Sequence, residues 1–255
     1  GSEMCIRDRS MTIIEQLARE LNRPAEHIEN VVRLLDEGNT IPFIARYRKE
    51  LHGAMDDTSL RTLEERLQYL RGLEERREAV KKSIDEQGKL TDELTAAIDS
   101  AKTLAEVEDL YRPYKQKRRT RATMAKEKGL EPLAALLFAQ ERDCPRPEEA
   151  ARDFVDPEKG VETVEDALQG ASDIIAEQIS DDAAIRKSLR ALISRQGQLV
   201  SRAATEDDSV YRLYYDFTQS VARLQGHQVL AINRGEKEGI LKVSITLDRE
   251  QALPL

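Results

Sequence analysis

The segment from Asp56 to Gly88 constrains this chain more than any other. Leu60, Leu63, Leu67, Leu70, Leu73, Val80 and Ile84 recur at three- and four-residue spacing, which lines them along one stripe of a helix. Asp56-Asp57 offers carboxylates to the free amides of a helix start, and Gly88 supplies the stop. The pattern predicts a single helix of about 30 residues, ~45 Å long. Its other faces carry Glu64, Glu65, Arg66, Glu74, Glu75, Arg76, Arg77, Lys81 and Lys82, a solvated face laced with ion pairs.

Helical signals recur on both sides. Ile13 to Leu21 reads as a short amphipathic helix. Pro24 suits a first helical position, with Ile28, Val31, Val32, Leu34 and Leu35 following at helical spacing. Gly38 closes that helix. Thr40 and Pro42 open the next, whose expected buried face is Phe43, Ile44 and Tyr47, giving a helix-turn-helix outline. Thr91 caps a short helix, and Thr103 with Glu106 spells a capping box. Gly129 and Pro132 repeat the Gly38 and Pro42 device. Thr163 with Asp166 opens a helix striped by Val164, Leu168, Ala171, Ile174, Ile175 and Ile179, and another runs from Ala184 to Arg195. Residues 203–209 read as a polar loop, and Ile240, Leu241, Val243, Ile245 and Leu247 as one terminal strand, which either pairs elsewhere or lies short of its partner.

The 255 residues are 40% hydrophobic, 35% charged and 4% aromatic, with no Trp. Such a composition suits soluble, charge-laced helices in one or two domains. The fold class expected is all-α: an elongated multi-helix domain with helix-turn-helix-like hairpins, one long central helix and a short strand near the C-terminus. Residues 1–10, including Cys5, have no structural period and read as a non-native leader. One helical domain is expected over 11–200, and a helical extension with the strand over 201–255. No apolar run approaches the ~18 residues that span a bilayer. Two cysteines make no disulfide framework, and Cys144, beside Pro145, reads as an inert surface thiol. A reduced, cytoplasmic protein is expected.

The formal charge is −8, which excludes a globally basic nucleic-acid binder but not a local basic patch. From Arg112 to Lys128 there are eight basic residues (Arg112, Lys115, Lys117, Arg118, Arg119, Arg121, Lys126, Lys128) against Glu127 alone, a net of +7 in 17 residues. Asp143 to Asp182 holds 13 acidic and 3 basic residues. Two readings of the basic stretch stand side by side. It neutralises nucleic-acid phosphates, with Tyr111 and Tyr114 as stacking faces, or it docks on the acidic block of the same chain. Arg46, Arg48 and Lys49, after the Gly38 turn, form a second candidate contact of the recognition-helix kind, while Phe43 and Tyr47 are expected in the core.

Signals for catalysis are absent. His27, His52 and His227 lack metal-site spacing, so no metal is expected. No phosphate-binding glycine loop ends in Lys-Ser or Lys-Thr, and no serine sits on a nucleophile elbow. Arg234-Gly235 and Gly239 read as a helix stop and turn. No enzyme, no cofactor, no small-molecule substrate and no membrane partner is expected.

Several blocks resemble the bacterial Tex family of transcription accessory proteins. They are Gly38-Asn39-Thr40-Ile41-Pro42-Phe43-Ile44-Ala45-Arg46-Tyr47-Arg48-Lys49-Glu50, Glu86-Gln87-Gly88-Lys89-Leu90-Thr91, Asp109-Leu110-Tyr111-Arg112-Pro113-Tyr114-Lys115, Lys117-Arg118-Arg119-Thr120-Arg121-Ala122-Thr123, Lys128-Gly129-Leu130-Glu131-Pro132-Leu133, and His227 with Leu230 to Gly239. The likeness runs from Met11 to about Ile245. Gln116 and Gln228 depart from it, standing where the family has Pro and Arg. The resemblance implies a nucleic-acid-binding factor tied to transcription, here its N-terminal helical scaffold, truncated before an RNase H-like domain, a helix-hairpin-helix module and an OB-fold RNA-binding module. The expected function is weak RNA or DNA contact through Lys115, Lys117, Arg118, Arg119, Arg121, Lys126 and Lys128, with Arg46, Arg48 and Lys49 in support. The alternative is a protein-interaction scaffold that orders the other domains or docks on the transcription machinery without touching nucleic acid.

Overall fold

Helix periodicity alone places most of the chain. In the computed structural model, which describes residues 13–255, the chain forms two compact units that divide between Val107 and Glu108. The leader expected over residues 1–10 lies outside the described residues.

The first unit is helical throughout. Its elements are α1 (13–21), α2 (Ala25–Asp36), α3 (Ile41–Tyr47), α4 (Asp57–Glu86), α5 (Asp92–Ser100) and the start of α6 (Leu104–Tyr111). Helix α4 carries the expected stripe: Leu60, Leu63, Leu67, Leu70, Leu73, Val80 and Ile84 are all buried. The Asp56 carboxylate caps it by accepting from the Ser59 amide at 2.8 Å. The N-terminal half of the stripe packs with Leu17, Ile28, Val31, Ile41 and Ile44. Pro24 stands one place earlier than expected, as the residue capping α2. Gly38 turns the chain at φ 84°, a conformation that a Cβ strains.

The polar face of α4 is tied down by ion pairs. Arg66 donates to both carboxylate oxygens of Glu20 at 2.7 and 3.0 Å, and Arg71 to both of Asp36 at 2.7 and 2.9 Å. These forks clip α1 and α2 to α4. Hydrogen bonding from the guanidinium is the largest cause that holds each carboxyl below its ordinary value.

The second unit continues α6 into a 3-10 turn (Arg112–Tyr114), α7 (Arg121–Glu127), α8 (Glu131–Ala139), α9 (Pro147–Arg152), α10 (Val164–Asp181), α11 (Ala183–Gln196), β1 (Gln198–Ala203), β2 (Asp216–Ser220), α12 (Gly226–Lys237), β3 (Leu241–Thr246) and α13 (Arg249–Ala252). Helix α10 packs against α7, α8 and α9. It opens with the expected capping box, Thr163 with Asp166. Its buried face widens the expected stripe: Ala171 and Ile174 are buried with Ala167 and Gly170, Val164, Leu168 and Ile175 pack half-buried against the same core, and Ile179 alone of the stripe is exposed. Gly170 allows a close approach. A Cβ there would lie 2.3 Å from Leu130 Cδ1, so the missing side chain lets Leu130, itself buried, seat against the helix.

The terminal strand pairs elsewhere in the chain: β3 and β2 flank β1 in a three-stranded antiparallel sheet of order β2-β1-β3. Leu199 faces Gln219 on one side and Ile245 on the other. Gln198–Ala203 and Asp216–Ser220 escape sequence reading because they lack apolar alternation and leave only Ser201 buried. The boundary expected after residue 200 falls inside β1, whereas the chain divides after Val107. Periodicity shows that a helix has an apolar face, but not which neighbour covers it.

Candidate nucleic-acid interface

The basic stretch begins where Pro113 ends α6 and turns the chain through Arg112–Tyr114. It then runs extended to Thr120, whose hydroxyl caps α7 by accepting from the Thr123 amide at 3.1 Å. This path carries the cations past the C-terminal half of α10, which presents Asp173, Glu177 and Asp181. Arg112 Nε donates to Asp181 Oδ1 at 2.8 Å, and Lys117 reaches Asp181 Oδ2 and Glu177, the latter at 3.6 Å. Asp181 is only 8% exposed, so removing either cation would leave a buried carboxylate less well compensated. Arg121 lies 3.7 Å from Asp173, and Thr120 donates to Glu177 at 3.1 Å.

The remaining cations are placed less tightly. Arg119 pairs with Glu127 at 2.7 Å and Lys126 with Glu131 at 3.9 Å. Lys128 donates to the Gly160 carbonyl at 3.1 Å. Lys115 and Arg118 are exposed, and their side chains have no hydrogen bond or ion pair among the described residues. Both border an open groove lined also by Arg112, Lys117, Glu177 and Asp181. Tyr111 and Tyr114 are half-buried. Asp109, 4% exposed, makes a second buried junction, accepting from Arg186 at 2.7 Å and Arg190 at 2.6 Å. Sequence reading missed that junction, because its partners lie far along the chain.

In the first unit, Arg46, Arg48 and Lys49 sit at the end of α3 and just past it, all exposed. None has a carboxylate partner among the described residues. Phe43 and Tyr47 are not in the core, contrary to expectation: they are 38% and 60% exposed. Ile41 and Ile44 occupy the buried side of this short helix, and Phe43 and Tyr47 project about 110° around it. The signal was present in the sequence as an i,i+4 aromatic pair with three cations within two positions of Tyr47.

Comparisons with known proteins follow the same two-part layout. Residues 11–85 match the Tex-like protein N-terminal domain and residues 143–254 the Tex central region-like family. The chain belongs to the Tex family. It is 44% identical over 240 residues to the transcriptional accessory protein Tex of Neisseria gonorrhoeae, covering 92% of this chain and 31% of that protein. It is 48% identical to the uncharacterized protein YdcI of Bacillus subtilis, over 92% of this chain and 33% of the relative. An S1 RNA-binding domain-containing protein 1 of Pongo abelii is 31% identical over 92% of this chain and 24% of its own length. The chain thus spans about a third or less of the relatives it matches. Among the described residues, no helix is long and apolar enough to cross a membrane.

Proposed function

We propose that this chain is a non-catalytic helical module of a cytoplasmic transcription accessory factor, and that it holds RNA or DNA weakly through Lys115 and Arg118. The observation that carries the reading is the pair of unpartnered cations on the rim of the open groove, in a stretch whose other cations are engaged. An unpaired cation binds phosphate by releasing counterions alone, whereas a paired one must first give up its carboxylate. The printed names of relatives, a transcriptional accessory protein and an S1 RNA-binding domain-containing protein, support the same setting. The reading needs no cofactor, metal or small-molecule substrate.

The contact is narrower than the sequence alone suggests. Seven cations would give log K a slope near −6 against log salt on duplex DNA. Lys115 and Arg118 account for about −1.8 on duplex or −1.4 on single strands. Fluorescence anisotropy of labelled RNA and DNA, titrated with salt, tests this. The Lys115→Glu/Arg118→Glu variant is expected to flatten the slope by that amount and weaken binding on either nucleic acid. An unchanged slope and affinity overturn the reading.

A second reading has its own observation. Arg112, Lys117 and Arg121 meet Asp181, Glu177 and Asp173, so the basic stretch also fastens the α6–α7 connection to α10. On that reading the module is a scaffold that presents surfaces to other domains or to the transcription machinery, and the double variant binds nucleic acid as the parent does.

A further inference from the structure

We infer that the exposed face at the end of α3 is a stacking site for single-stranded nucleic acid, with Phe43 and Tyr47 receiving bases and Arg46, Arg48 and Lys49 receiving phosphates. This goes beyond the contact proposed at Lys115 and Arg118. It lies in the other compact unit and rests on different observations.

Exposure of the two rings is the first of these. Ile41 and Ile44 fill the core side of the same helix, and both rings turn outward. Their centroids are 5.3 Å apart with planes inclined at 44°. Tyr47 is the more exposed ring, at 60%, and offers its surface to a base. Two neighbouring exposed rings make a small flat apolar surface, and every nucleobase offers a π-face of matching size.

Charge selects the occupant. The Arg46 guanidinium lies 6.0 Å from the Tyr47 ring centroid, a cation already held beside the stacking face. Arg48 and Lys49 follow directly, and no carboxylate among the described residues engages any of the three. Glu50 is the one acid in the stretch from Phe43 to Glu50. The basic stretch of the second unit differs, because most of its cations are paired. An apolar protein segment would have no use for three free cations around the rings. A duplex would hide its base faces. A single strand satisfies both features, with bases on the rings and phosphates on the cations.

The test uses the full chain and fluorescein-labelled ten-nucleotide oligo(dU) and oligo(rU) at low salt, read by anisotropy. Tyr47→Ala is expected to weaken binding about 5- to 100-fold, the loss of one stacked base, and Tyr47→Phe to bind like the parent. The Arg46→Glu/Arg48→Glu/Lys49→Glu variant is expected to flatten the salt slope by about 2. An abasic oligomer of the same length is expected to bind the parent and Tyr47→Ala equally, because it offers phosphates and no bases. Photocrosslinking of a 5-iodouracil oligomer is expected to label Tyr47 or Phe43, a readout independent of affinity. Preference between the two oligomers identifies the sugar. Equal affinity of parent and Phe43→Ala/Tyr47→Ala for the base-containing oligomers, with both chains folded by circular dichroism, overturns the inference. So does a Tyr47→Ala loss of equal size on the abasic strand. Lys115→Glu/Arg118→Glu is run alongside. Its failure to change binding, with the Tyr47 effect intact, removes the groove contact and leaves this site, and the converse removes this site alone.

Discussion

Two basic regions of this chain have opposite fates on folding. From Arg112 to Lys128 the sequence is densely cationic, but the fold lays it along α10, where Asp181 and Glu177 take Arg112 and Lys117. From Arg46 to Lys49 the sequence holds only three cations, and the fold leaves all three without a carboxylate partner among the described residues, beside two exposed rings. The difference shows that local charge density along a chain measures what must be neutralised, not what is left for a partner. Once the carboxylates of a neighbouring helix are counted, the weaker sequence signal offers the larger free surface.

The sharpest way to break this comparison is to ask whether the α3 face is surface at all. Ile44 is fully buried and three residues from Tyr47. Ile44→Ala is expected to cost about 2–5 kcal/mol in urea unfolding, and Tyr47→Ala no more than ~0.5 kcal/mol. A cost above about 2 kcal/mol for Tyr47→Ala would place that ring in a packing role and erase the contrast.

The other side of the comparison is tested at Asp181. Removing this carboxylate frees Arg112 and leaves Lys117 with Glu177 alone. Asp181→Ala is expected to lower stability by about 1–3 kcal/mol, discounted because both cations reach solvent. It is also expected to tighten nucleic-acid binding and steepen the salt slope by about 1, as Arg112 becomes available. Lost stability without a steeper slope would mean that the freed Arg112 finds another carboxylate.

A smaller effect separates cations within the basic stretch. Arg112→Ala is expected to cost about 1 kcal/mol, since it leaves Asp181 with Lys117 alone. Lys115→Ala and Arg118→Ala are expected to stay within ~0.5 kcal/mol of the parent. Thermal unfolding of the three variants ranks them, and equal losses would put Lys115 and Arg118 in the same fastening role as Arg112.

How much of this could be read before the structure follows from what periodicity encodes. The α4 stripe, the Asp56 cap and the Thr163–Asp166 capping box are local, and each residue behaves as its spacing indicates. The same holds for the Gly38 and Gly129 turns, at φ 84° and 79°. Pairings between distant positions were not legible. Asp109 meets Arg186 and Arg190, and β1 finds both of its partners, with no pattern in the sequence that names them. The α3 face fell between the two kinds of information. Phe43 and Tyr47 follow helical spacing, but a helix of seven residues buries one narrow side, and Ile41 and Ile44 had already taken it.

The smallest expected effect concerns pH and belongs to the first unit. Hydrogen bonds from Arg66 and Arg71 hold Glu20 and Asp36 below their ordinary values of 4.5 and 3.8. A carboxyl depressed by folding adds stability that is complete above its ordinary value and is lost as pH falls through the lower folded value. Acid should therefore begin to erode the first unit just below pH 4.5 and continue below 3.8, as α1 and α2 lose their clips to α4. Both pairs are partly solvated, so each is worth well under about 1 kcal/mol, and salt should weaken them further. In the Arg66→Met/Arg71→Met double variant the chain should be slightly less stable at pH 7 and should show a shallower loss between pH 5 and 3, followed by urea midpoints. A parent and a variant that fall in parallel across that range would show that the forks carry no differential stability, and that the unit is held by its leucine stripe alone.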